Sequence, residues 1–79
     1  MDIEIGVMYQ VAGSSNLDSV GLLEDQGPDL VMRVDYLKGA SYLYWPVTRD
    51  EFIGLFDGSA SVGSNVRVLI SGKSYKKME

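Results

Sequence analysis

Tyr42-Leu43-Tyr44-Trp45-Pro46-Val47, then Thr48-Arg49-Asp50-Glu51-Phe52-Ile53-Gly54-Leu55-Phe56-Asp57-Gly58, then Ser61-Val62-Gly63: this stretch decides the fold. Aromatic residues favour strands. Pro46 has no N–H and ends the ladder, so a strand runs from Ala40 to Trp45. Thr48 with Glu51 three residues later spells a capping box. Asp50 and Glu51 suit the positive end of a helix dipole. Phe52, Ile53, Leu55 and Phe56 form an apolar stripe at helical spacing, and Gly58 is placed to end the helix in a left-handed conformation. Beyond it, Gly58 to Asn65 reads as a small-residue loop. Val66, Val68 and Ile70 alternate with Arg67, Leu69 and Ser71 and predict a last strand.

Working outward, Leu30 to Leu37 is a strand that turns at Lys38-Gly39. Asp25-Gln26-Gly27-Pro28 is a turn after a short strand over Leu17 to Glu24. Ile3, Ile5, Val7, Tyr9 and Val11 alternate with more polar neighbours and predict a first strand. Residues 72–79 read as a polar tail. The expected architecture is one α+β domain over residues 1–79: a small antiparallel β-sheet of four to five strands with one short helix packed on one face.

Composition excludes several kinds of chemistry. The chain has 79 residues with no cysteine and no histidine. It therefore has no disulfide, no thiolate nucleophile and none of the commonest general base. Asp25, Asp29 and Asp35 lack the spacing of a calcium loop. Ser74 and Lys77 match a serine-hydrolase motif, but in a tail rather than at a helix start in a cleft. No enzyme, metal site or cofactor is expected. Eleven acids against seven bases give a net charge of −4, which argues against non-specific duplex binding. No segment is long and apolar enough for a bilayer and no signal peptide is visible, so a cytoplasmic location is expected. A chain this short buries only about 60% of its unfolded surface, and 46% apolar residues leave material for a homo-oligomer.

Binding is the chemistry that remains. Ser59, Ser61 and Gly63 lie in a run whose backbone N–H groups can approach an anion, or which simply connects two elements. Tyr42 and Tyr44 share one strand face, where they serve either the core or a stacked base, at roughly 1–3 kcal/mol per base. Arg33 and Arg67 suit bidentate phosphate contacts or surface ion pairs, Arg33 with Asp35 in particular.

From Ser14 to Tyr75 the pattern resembles the KTSC domain family. The resemblance runs through Ser14, Ser15, Val20-Gly21, Val34-Asp35-Tyr36, Gly39, Tyr42, Tyr44 and Trp45-Pro46-Val47. It continues through Phe52, Leu55, Ser61-Val62-Gly63, Ile70 and Gly72-Lys73-Ser74-Tyr75. Here the Pro and Val of the family's step are exchanged, and Val66 and Arg67 replace its Phe-Asn pair. Residues 1–12 fall outside it as an added edge strand or a dimer contact. The family's company with translation proteins implies nucleotide or nucleic-acid binding. The chain is also similar to small viral proteins that sequester nucleotide signals, which would make it a sponge in a host cytoplasm. The expected function is non-enzymatic binding of a nucleotide or a similar small phosphorylated ligand at Arg33, Tyr42, Tyr44, Ser59, Ser61, Gly63 and Arg67. The alternatives are a single-stranded RNA accessory module, with a basic patch from Arg33, Arg67 and Lys73, and a protein-interaction module that uses the first strand.

Overall fold

A computed structural model describes residues 3–24 and 30–78. The predicted Asp25–Pro28 turn lies outside the described residues. Among the described residues the architecture is α+β: a five-stranded antiparallel sheet in the order β1-β2-β3-β4-β5, with two helices. The strands are β1 (Met8–Gln10), β2 (Leu17–Glu24), β3 (Leu30–Tyr36), β4 (Ser41–Trp45) and β5 (Ser74–Met78). The helices are α1 (Arg49–Gly54) and α2 (Val62–Ile70).

The centre of the sheet follows the sequence pattern. Val20, Leu22, Met32, Val34 and Tyr44 alternate onto one face and join Val47, Phe52, Leu55 and Val66 in the core. The β3–β4 hairpin closes where Tyr36 N–H donates to the Ala40 carbonyl and Gly39 N–H to the Tyr36 carbonyl. Gly39 takes φ +96, a conformation that costs a side chain little only when there is none. The α1 capping box is complete: Thr48 Oγ1 accepts from Glu51 N–H and Glu51 Oε1 accepts from Thr48 N–H.

Three segments differ from their predicted forms. The first strand is only three residues long. Ile3 sits in the core, Gly6 turns at φ +89, and Gly6 N–H donates to the Leu22 carbonyl. The apolar alternation from Ile3 to Val11 thus feeds the core around a bend, and β1 pairs with β2 within the chain. Gly21 makes that pairing possible, since a Cβ there would lie 2.8 Å from the Val7 carbonyl oxygen. The end of the predicted loop, Val62 to Asn65, and most of the predicted strand, Val66 to Ile70, form one helix, α2, with Ser71 as its C-cap. Val62, Val66, Leu69 and Ile70 recur at helical spacing against the core, while Val68 is exposed. Burial of that stripe overrides the β-propensity of Val66, Val68 and Ile70. The predicted tail forms β5, with Tyr75 opposite Tyr44 and Lys77 opposite Tyr42. Exposed lysines on an edge strand also oppose edge-to-edge aggregation.

Candidate functional site

The core-facing side of β3, β4 and β5 carries four tyrosines at adjacent positions. Tyr36 contacts Tyr42 edge to face at 5.7 Å between ring centroids, and Tyr42 lies nearly parallel to Tyr44 at 6.2 Å. Tyr75 reaches both Tyr42 and Tyr44, at 6.3 and 6.2 Å. The hydroxyls of Tyr36 and Tyr44 are hydrogen-bonded at 3.0 Å. Burial, that bond and the neighbouring rings raise the Tyr44 pKa far above its ordinary value. Tyr44 is 8% exposed and Tyr75 is 67% exposed, so the layer is anchored at β4 and open at β5.

These rings floor a groove of about 970 Å³. One wall is α2, through Ser61, Gly63, Ser64 and Arg67; the other is the loop before β2, through Ser14, Ser15 and Asn16. The walls meet where Gly63 passes Ser14. A Cβ at Gly63 would lie 3.3 Å from Ser14 Oγ, a close approach that glycine accommodates. Ser14 Oγ is occupied by Asn16 and Leu17 N–H, which hold the loop in shape. Ser61 is the N-cap of α2: its Oγ accepts from Ser64 N–H and its hydroxyl bonds Ser64 Oγ at 2.9 Å.

Charge is segregated here. Lys38, Arg67 and Lys73 line the groove, and among the described residues no carboxylate does. Arg67 and Lys38 form no ion pair among the described residues. Lys73, by contrast, is paired with Glu51 at 3.3 Å and donates to the Pro46 carbonyl at 2.7 Å.

Five predicted residues therefore share one groove: Tyr42, Tyr44, Ser61, Gly63 and Arg67. Two do not. Arg33 lies on the opposite sheet face, with its Nε 2.8 Å from Asp35 Oδ1, because it sits one position out of phase with Met32 and Val34. Burial raises the Asp35 carboxyl, but hydrogen bonds from Arg33, Ser41 and Ser19 outweigh it and leave the pKa low. Ser59 stands outside the groove in a turn after α1, where its N–H and hydroxyl both donate to Asp57 Oδ1. Tyr36, Tyr75 and Lys38 were not predicted as site residues, and Lys73 was expected only in the basic patch of the RNA alternative. Tyr36 was legible in principle, since its alternation with Val34 puts it on the Tyr42 side of the hairpin. Tyr75 was hidden by the reading of residues 72–79 as a tail.

Among the described residues no three metal-ligating side chains gather, and no helix is long and apolar enough to cross a membrane. No protein-family model, curated protein or solved structure matches the chain.

Proposed function

We propose that the groove binds a nucleotide or a similar small phosphorylated ligand, without turnover. One observation carries this reading: in a chain of net charge −4, the groove presents two cations without an ion pair, Lys38 and Arg67, and, among the described residues, no carboxylate, beside an aromatic floor. Base stacking on tyrosine and phosphate attraction to Arg and Lys are the two terms such a ligand needs. The resemblance of Ser14 to Tyr75 to the KTSC family agrees with a binding role, and sequestration of a nucleotide signal is one form that role can take. Calorimetry against a panel of linear and cyclic nucleotides tests the proposal. Saturable heat with at least one nucleotide, lost in Arg67→Glu, is expected; no heat across the panel overturns it.

Single-stranded RNA is the second reading, favoured by the open β5 side, where exposed Tyr75 and exposed Lys77 share the groove face of the strand opposite Tyr44 and Tyr42. The third reading, partner pairing through the N-terminal strand, is weaker. Among the described residues only Met8–Gln10 is strand there, and one of its edges is occupied by β2.

A further inference from the structure

The layout of the groove speaks to the size of its ligand. β4 is five residues long, roughly 17 Å at strand rise. Lys38 stands beyond its first residue, in the β3–β4 turn; Lys73 stands beyond its last, since Ser74 pairs with Trp45. Arg67 lies between them. α2 starts beside Ser14, whose loop reaches the same hairpin through Leu37 N–H on the Asn16 carbonyl, and it ends next to Lys73. Lys38 and Arg67, and Lys73 with its partner Glu51, are thus strung along the groove rather than gathered at one point. A single phosphate needs a cluster; a row suits successive phosphates.

The floor agrees. Tyrosine centroids 5.7 to 6.3 Å apart are in mutual contact, so no base enters between them. Bases must lie over the layer, which spans three strands, about 10 Å across at strand spacing. The volume of about 970 Å³ is at the top of the range for small-molecule sites, roughly 300–1,000 Å³.

On these grounds, and resting on the binding reading above, we infer that the ligand is phosphodiester-linked, two or more nucleotides long, with its backbone along Lys38, Arg67 and Lys73. Its sources are a soluble dinucleotide or a stretch of single-stranded RNA, which share that chemistry.

Calorimetry at fixed salt with uridine monophosphate, diuridylate, tetrauridylate, octauridylate and a cyclic dinucleotide tests this. Affinity is expected to rise at least tenfold from the mononucleotide to the dinucleotide. A plateau at two, with tight binding of the cyclic form, identifies a soluble dinucleotide; a continued rise to four or eight identifies a single strand. Lys38→Gln and Arg67→Gln, both exposed substitutions, should each weaken dinucleotide binding and flatten its salt dependence by about 0.7 in log–log slope. Equal affinity for mononucleotide and dinucleotide overturns the inference and leaves the binding reading intact. No binding by any of the five overturns the inference, and joined to no heat across the wider nucleotide panel it overturns the binding reading as well.

Discussion

Tyr44 shows how one side chain can belong to both core and site. It lines the groove, yet it is 8% exposed and its hydroxyl is committed to Tyr36. Its ring has little area to offer a base, and its part is to fix the layer on which Tyr42 and Tyr75 are displayed. Burial is the first cause of its raised pKa, followed by the bond to Tyr36. The folded pKa lies above the unfolded value of about 10, so the folded state holds this proton more tightly. The associated stability is complete below that pH and is lost as pH rises through the folded pKa. Tyrosinate absorbance should therefore include a late phase from Tyr44, above the ordinary tyrosine range and together with or after alkaline unfolding. Tyr44→Phe should abolish that late phase and cost about 1 kcal/mol through the lost hydrogen bond. A single transition near the ordinary tyrosine pKa would contradict this account.

At the scale of elements, α1 is the best-specified piece. Its capping box connects the helix to β5 as well, because Glu51 also reaches Lys73 at 3.3 Å. The Thr48 backbone N–H is the main cause of the lowered Glu51 pKa, with Lys73 adding to it. A lowered folded pKa means stability that is present above the unfolded value of about 4.3 and lost as acid protonates the folded carboxylate. Thr48→Ala should cost about 1 kcal/mol in urea denaturation at neutral pH. Glu51→Gln should reduce the loss of stability between about pH 6 and about pH 3. An unchanged acid limb in that variant would sink the assignment. Thr48 and Glu51 were legible because a cap is a local event, spelled within four residues. β2, β3 and β4 were legible because their alternation matches burial on a single face. α2 was not, since Val66-Arg67-Val68-Leu69-Ile70 alternates well enough for a strand, and only Val62 and the fit against the core select the helix. β5 was not, since Ser74 to Met78 is mostly exposed and is strand only through its partner β4. The same gap hid part of the site: Tyr42 and Arg67 were named, but the residues that join them into a groove come from β5 and the β3–β4 turn.

At the scale of the whole molecule, both helices pack on one side of the sheet, and among the described residues nothing covers the other side. There Val31 is surrounded by half-buried Leu23, Leu43 and Trp45 in a shallow apolar depression bordered by Glu24 and Lys76. The face is compatible in charge with a second copy of itself, because Arg33 is neutralised by Asp35 and the border carries both signs. A chain of 79 residues gains more from covering such a face than a larger domain would. We therefore expect a homodimer joined through the bare faces, with one groove facing outward on each side. Light scattering should give twice 8.7 kDa at micromolar concentration, and Trp45→Arg should return the monomer mass. Because Trp45 points away from the tyrosine layer, the variant should keep its nucleotide affinity, which separates assembly from binding. A native monomer at every concentration would remove the dimer. Loss of binding together with loss of the dimer would mean instead that the groove depends on the second copy, through the strands that the two faces share.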